Sequence, residues 1–131
     1  METDSVSRLI SIVDDDRLVR EGLISLMRSA GFFTQAFASA EEFLSLANRG
    51  DTACLILDVL LPGMSGLELQ SQLTATVSNH RIPVVFITAR DDEATRERAL
   101  KGGAVDLLRK PIRREALLSA VHLALQQNDR R

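Results

Sequence analysis

The sequence predicts an α/β fold in which five parallel strands form one sheet with helices on both faces. Three observations predict it. Short apolar runs alternate with segments of helical periodicity, strand then helix, five times over, and right-handed crossovers turn that order into a parallel sheet. The runs at 53–58 and 84–88 are apolar without a period of two, as strands covered on both faces are. The chain has 131 residues, 45% hydrophobic and 26% charged, which suffices for a single domain with its own core and no disulfide or structural metal.

The first strand is Leu9-Ile10-Ser11-Ile12-Val13, which stops at Asp14-Asp15-Asp16. Leu18, Val19, Leu23, Leu26, Met27 and Ala30 then recur at helical spacing until Gly31 closes the helix. A weaker second strand covers about 33–37. Ser39-Ala40-Glu41-Glu42 reads as a capping box, in which a serine oxygen and an acid three residues on satisfy the first free N–H groups. It opens a helix through Asn48. The third strand is 53–58, followed by the loop Leu61-Pro62-Gly63-Met64 and a second capping box, Ser65-Gly66-Leu67-Glu68, for a helix to about residue 77. After Pro83 comes the fourth strand, Val84-Val85-Phe86-Ile87-Thr88. A charged helix over 91–101 ends at Gly102-Gly103, and 104–108 is a short fifth strand. Lys110-Pro111 is a turn. The last helix, 113–127, carries Leu117, Leu118, Val121 and Leu125 on one face. The ordered core is expected over 8–127, with 128–131 a tail or the start of a linker.

Composition excludes several classes. Sixteen basic against eighteen acidic side chains leave a net charge of -2, which argues against sequence-independent binding of nucleic acid or an anionic membrane by the domain itself. No apolar run approaches the roughly 18 residues a membrane span needs. Residues 1–7 are polar and acidic, unlike a secretory signal. The single cysteine, Cys54, lies in the apolar run Cys54-Leu55-Ile56-Leu57. It reads as a small core side chain and fits a reducing, cytoplasmic setting. His80 and His122 show no ligand spacing. Met27 and Met64 read as core and loop packing, and Arg96, Arg98, Glu93 and Glu97 as a solvated helix face.

In open parallel sheets, ligands bind beyond the carboxyl ends of the strands. The first strand ends in Asp14 and Asp15, the third in Asp58, the fourth in Thr88 and the fifth near Lys110. If those four strands are neighbours, the side chains share one rim. Crowded carboxylates repel one another, and a divalent cation resolves the conflict; oxygen donors with several retained waters suit Mg²⁺. A lysine and a threonine hydroxyl would offer a positive charge and a donor to phosphoryl oxygens, leaving one carboxylate able to attack phosphorus. Each residue alone has an ordinary reading: the aspartate run as a helix cap, Asp58 as a loop cap, Thr88 as a strand end, Lys110 as a surface lysine. Their coincidence at carboxyl ends, with none at an amino end, argues for a site.

These residues also carry a resemblance. Ile12-Val13-Asp14-Asp15-Asp16, Leu55-Ile56-Leu57-Asp58, Leu61-Pro62-Gly63-Met64-Ser65-Gly66, Val84-Val85-Phe86-Ile87-Thr88-Ala89 and Gly103-Ala104-Val105-Asp106-Leu107-Leu108-Arg109-Lys110-Pro111, in this order and spacing, resemble the receiver domain of two-component response regulators. The resemblance runs from about Arg8 to Leu125. The Pro-Gly-Met-Ser-Gly and Ala-Val-Asp stretches look most like regulators with a helix-turn-helix DNA-binding output. The resemblance implies a flavodoxin-like (βα)5 sheet of strand order 2-1-3-4-5. It implies Asp58 as phosphoryl acceptor, with a histidine kinase or a small phospho-compound as donor. Mg²⁺ would be held directly by Asp15 and Asp58, by Asp14 largely through water, and by the backbone carbonyl of Leu60. Lys110 and Thr88 would contact phosphoryl oxygens, Thr88 moving toward the site. Ala89 would leave room beside them, and a cis Lys110-Pro111 bond would aim the lysine inward. Such a domain signals rather than turns over a substrate. The partners implied are the kinase, a DNA-binding output domain beyond this stretch, and a second copy meeting it through the fourth helix, fifth strand and fifth helix.

The sequence departs from that family's pattern in two places. Leu107 stands where an aromatic residue commonly turns inward on activation; leucine cannot make that ring switch, so a muted or differently routed switch is expected. Leu60 and Arg90 flank the site, and apolar Leu60 offers no polar group to position water, so slow loss of the phosphoryl group is expected. A phosphatase with an aspartyl-phosphate intermediate would need a second aspartate where Leu60 stands. A nucleotide or flavin binder would need a Gly-rich or Ser/Thr-rich phosphate loop where the chain has three aspartates. A receiver-like interaction module that is never phosphorylated stays as the alternative.

Overall fold

A computed structural model describes residues 8–46, 51–75 and 82–129. In chain order the elements are β1 Leu9–Val13, α1 Arg17–Ser29, β2 Phe33–Phe37, α2 Ala40–Leu46, β3 Thr52–Asp58, α3 Gly66–Ala75, β4 Val84–Thr88, α4 Glu93–Lys101, β5 Asp106–Arg109 and α5 Arg114–Asp129. The strands form one parallel sheet in the order β2-β1-β3-β4-β5, as expected. The helix ends expected at Asn48 and near residue 77, and His80, lie outside the described residues.

Alternation along the central strands sorts the core into two layers. Ile10, Ile12, Cys54, Ile56, Val85 and Ile87 pack against Leu23 and Met27 of α1 and Leu117, Val121 and Ala124 of α5. Val13, Leu55, Leu57, Val84, Phe86 and Leu107 face the other way, against Phe43 of α2, Leu69 of α3 and Ala99 of α4. All seven residues of β3 and all five of β4 are buried, which is why neither strand alternates in polarity. Each large apolar side chain so covered contributes roughly 1.5–3 kcal/mol. Ser11, the polar residue of β1, is fully buried yet satisfied: its hydroxyl lies 2.7 Å from that of Thr52 and accepts from the Gln35 amide at 2.9 Å. Burial pushes the Cys54 thiol up to about 12, so it stays protonated in the core.

Both expected serine caps form, but the reciprocal half of the first box is displaced by one residue. The amide of Glu42 donates to Ser39 Oγ while the Glu42 carboxylate accepts from the amide of Ala38. At α3 the box is reciprocal: the Glu68 amide donates to Ser65 Oγ and the Ser65 amide to the Glu68 carboxylate. At the other ends, α1 and α4 close in the same manner. Gly31 and Gly103 take φ of 96° and 101°, donating to the carbonyls of Arg28 and Leu100, while Phe32 and Ala104 donate to those of Met27 and Ala99. This paired closure needs a residue that tolerates positive φ. It also corrects one boundary. The fifth strand was expected from residue 104, but Ala104 is spent closing α4, so β5 starts at Asp106. Its far end runs on to Arg109, opposite Thr88.

Gly66 opens α3 directly beneath the end of β3. Its amide donates to the carbonyl of Val59, and an added Cβ would fall 2.3 Å from the backbone oxygen of Asp58. Backbone cannot yield as a side-chain tip can. Gly66→Ala should therefore cost about 1–3 kcal/mol, read as a lower urea midpoint at unchanged m-value.

Candidate functional site

Parallel register assembles the site. Val13 pairs with Leu57, so the next residues, Asp14 and Asp58, fall side by side at the carboxyl edge. Asp58 pairs with Ile87, which sets Thr88 one step beyond. The amide of Lys110 donates to the carbonyl of Thr88 at 2.8 Å, and that bond brings the lysine to the same rim. The Lys110–Pro111 bond is cis, as the resemblance implied.

The three consecutive aspartates have separate tasks. Asp16 is the N-cap of α1, its carboxylate accepting from the amides of Leu18 and Val19. Asp14 is fully buried; its Oδ1 accepts from the Asp16 amide and its carbonyl accepts from Arg20 Nη1 at 2.8 Å. Asp15 is exposed at the rim. The ordinary capping reading thus holds for one residue of the run, and the other two join the site.

Carboxylate oxygens of Asp14, Asp15 and Asp58 lie within 4.8 Å of one another. Lys110 Nζ sits 2.9 Å from Asp14 Oδ2 and 3.4 Å from Asp58 Oδ2. The first contact is an ion pair, and buried Asp14 Oδ2 makes no hydrogen bond besides it. Leu60 donates its amide to Asp58 Oδ1 at 3.2 Å, and its side chain is exposed. Burial first, and the Asp14 charge second, raise the Asp58 carboxyl to about 6 against the opposing pull of Lys110 and the Leu60 amide. Burial alone would lower the Lys110 ammonium, but the Asp14 and Asp58 carboxylates outweigh it and hold it above its usual value. One ammonium for several converging carboxylates leaves an oxygen-lined cluster short of positive charge. The cluster fits a hard divalent cation that keeps part of its water shell: the donors are all carboxylate oxygens, they converge within 4.8 Å, and one ammonium does not balance their charge.

Thr88 is fully buried at the end of β4, but its hydroxyl is turned to its own chain, donating to the Arg90 carbonyl at 2.8 Å and accepting from the Arg90 amide at 3.0 Å. Both of these bonds stay within its own turn, one step along the rim from the Asp58–Ile87 pair. Ala89 and Arg90 are exposed next to it. Leu107 is 2% exposed, packed in the layer with Phe86 and Ala99. His122 stands on α5 with its ring 6.3 Å from that of Phe32, away from the carboxylates.

Two features went unread in the sequence. Glu41 Oε2 accepts from the Met64 amide at 2.8 Å, tying α2 to the loop after β3, and this bond holds its carboxyl below the usual range. Arg96, expected on a solvated face, instead makes a two-pronged pair with Asp91, 3.2 and 2.7 Å, and donates to the Leu107 carbonyl at 3.2 Å. A spacing of five residues across a helix cap is no recognised pairing rule, and the carbonyl partner depends on strand register, so no sequence signal pointed to it.

Comparison with known proteins agrees with this arrangement. Nodulation protein W of Bradyrhizobium diazoefficiens is 43% identical over 127 residues, which are 97% of this chain and 55% of that protein. Response regulator protein TodT of Pseudomonas putida is 46% identical over 118 residues, 90% of this chain and 51% of that one. The low-resolution structure of response regulator StyR superposes with a TM-score of 0.85 at 47% identity, covering 94% of this chain and 61% of the other. The chain spans about half the length of the curated relatives it matches. Residues 10–122 match the response regulator receiver domain, and with the acidic rim and sheet order already described, the chain belongs to that family.

Proposed function

We propose that Asp58 accepts a phosphoryl group from a histidine kinase or a small phospho-compound, and that the modified rim then draws in Thr88 and repositions α4 and β5. The observation that carries the proposal is the meeting of three carboxylates and the Lys110 ammonium at the ends of β1, β3 and β5. An Asp58 oxygen attacks phosphorus in line with the bond to the donor's leaving atom, which departs with the electron pair. Such transfers depend on positioning and charge neutralisation more than on covalent help. Lys110, already between Asp14 and Asp58, would hold one phosphoryl oxygen, and the Thr88 hydroxyl another once it leaves Arg90. Asp14, Asp15, Asp58 and the Leu60 carbonyl would hold Mg²⁺, which when bound neutralises the carboxylates and the incoming phosphoryl oxygens. Ala89, without a side chain beyond Cβ, leaves that space open.

The product adds up to about two negative charges at one point, which shifts the balance between two packings of one fold. Partners in this reading are the kinase, an output segment with DNA-binding function, and a second copy meeting it through α4, β5 and α5. The greater length of the relatives supports the output segment. The setting is the cytoplasm, where such kinases present their phosphohistidine; among the described residues no helix is long and apolar enough to cross a membrane.

Incubation with acetyl phosphate and Mg²⁺ should add one phosphoryl mass, labile to hydroxylamine and absent when EDTA is present. Asp58→Asn should abolish it; an undiminished adduct on that variant would overturn the assignment.

The crowding of Asp58 also has a measurable cost. Its folded-state pKa of about 6 lies above the unfolded value near 3.9, so the native state binds this proton more tightly. The ionised form therefore weakens the metal-free fold above about pH 6, and the penalty disappears as pH falls through 6 toward 4. Water at the rim screens part of it. In EDTA at pH 7.5, Asp58→Asn should be more stable than the wild type by about 1–2 kcal/mol, by urea denaturation, with the gain fading toward pH 4. Adding Mg²⁺ should raise the wild-type midpoint more than that of the variant.

With apolar Leu60 exposed beside the acceptor and no polar side chain there to orient water, the phospho-form should decay over minutes to hours. A half-life of seconds, followed by intact mass after donor removal, would contradict this.

A further inference from the structure

We propose that Asp91 and Arg96 are positioning residues: they clasp the β4–α4 connection against β5 and so hold Thr88 in its resting orientation. The idea rests on the phosphoacceptor reading of Asp58 and says what opposes the switch in this chain. Five hydrogen bonds and one peptide link form a continuous path. The Thr88 hydroxyl both donates to and accepts from the backbone of Arg90. Arg90 is followed directly by Asp91, whose two carboxylate oxygens are held by Arg96 Nε and Nη2 at 3.2 and 2.7 Å. The same Nη2 reaches the Leu107 carbonyl at 3.2 Å. That carbonyl belongs to β5, whose Leu107 side chain is locked in the core at 2% exposure.

The path matters because little else holds this region. Among the described residues of α4 only Ala99 is buried, so apolar packing anchors the helix at one point. The Arg96 side chain is 40% exposed and that of Asp91 23%, and the pairing is two-pronged, a geometry that forgoes less of its energy to disorder than a single contact does. For Thr88 to face a phosphoryl group on Asp58, its hydroxyl must leave Arg90. The peptide it leaves is joined to Asp91, so the segment is free to move only as far as the Arg96 clasp lets it. The usual inward-turning aromatic ring is replaced by Leu107, and the connection to β5 runs through that residue's backbone oxygen instead.

The clasp thus lowers the population of the Thr88-in state, and an apparent affinity for any ligand of that state falls by the same fraction. Beryllofluoride, a phosphoryl mimic, tests this by titration in excess Mg²⁺. Asp91→Asn and Arg96→Gln should each bind it about two- to tenfold more tightly than the wild type. The double variant should gain no more than the better single one, since both break one clasp. In a Thr88→Val background, which has no hydroxyl to release, adding Arg96→Gln should change nothing. Thermal unfolding identifies any variant that does not fold, and either single variant carries the test alone. Folded clasp variants that bind no more tightly than the wild type, or that gain as much without the Thr88 hydroxyl, overturn the clasp while leaving Asp58 as acceptor. A wild-type chain that binds no beryllofluoride in Mg²⁺ overturns the acceptor reading and the clasp with it.

Discussion

Two carboxylates set side by side at the edge of a parallel sheet, with one ammonium between them, create a charge imbalance that the rest of the molecule must hold in place. The register of β1 on β3 makes Asp14 and Asp58 neighbours, and a one-residue slip of either strand would swap its side chains between two differently packed layers. Lys110 offsets part of the repulsion from 2.9 and 3.4 Å. It does not complete the balance: Asp58 stays raised to about 6 and one Asp14 oxygen is buried without a hydrogen-bond partner. A site of this kind lowers the stability of the fold without a cation, and the same deficit of positive charge favours a bound divalent cation. The stabilising side is the two apolar layers that bury β3 and β4 completely.

Much of this was legible because each level of the sequence agrees with the next. Uninterrupted apolar runs marked the strands buried on both faces, and Ser-x-x-Glu spacing marked the starts of α2 and α3: the serine caps form at both, and the reciprocal bond from the acid forms at α3, while at α2 it shifts to the amide of Ala38. Asp14, Asp15, Asp58, Thr88 and Lys110 could be gathered before any coordinates because a parallel sheet brings every strand's carboxyl end to one rim. The start of β5 was misjudged by two residues for a local reason. The closing turn of α4 claims Ala104, and an apolar residue after two glycines reads the same whether it closes a helix or begins a strand.

Side-chain direction was harder to read than placement. Thr88 stands where expected, but its hydroxyl is bonded to the backbone of Arg90, a choice of side-chain direction that no residue pattern encodes. Arg96 and Asp91 look like surface charges in any window of the sequence, and only the register of β4 on β5 puts the Leu107 carbonyl within reach of the guanidinium. Pairings that depend on how one element lies over another leave no periodic trace, whereas caps and strands, which depend on neighbours in the chain, do.

The distribution of apolar burial shows where this fold can change shape. α5 buries Leu117, Ala120, Val121, Ala124 and Leu125 against the sheet, and α1 buries Leu23 and Met27. α4 buries Ala99, and its remaining ties are polar: Gln70 Nε2 to the Ala99 carbonyl at 3.0 Å and Arg96 to that of Leu107 at 3.2 Å. Apolar burial is lost in full when a helix lifts off, at roughly 1.5–3 kcal/mol per large side chain. A hydrogen bond at a wet surface can be exchanged for one to water at a net cost of about 1 kcal/mol. Movement is therefore cheapest at α4, next to the segment that carries Thr88, and most costly at α1 and α5, which keep the acidic rim in register. With Leu107 already buried in the layer that holds Phe86 and Ala99, this position has no exposed ring to turn inward, and what can yield is the polar seam between α4 and β5.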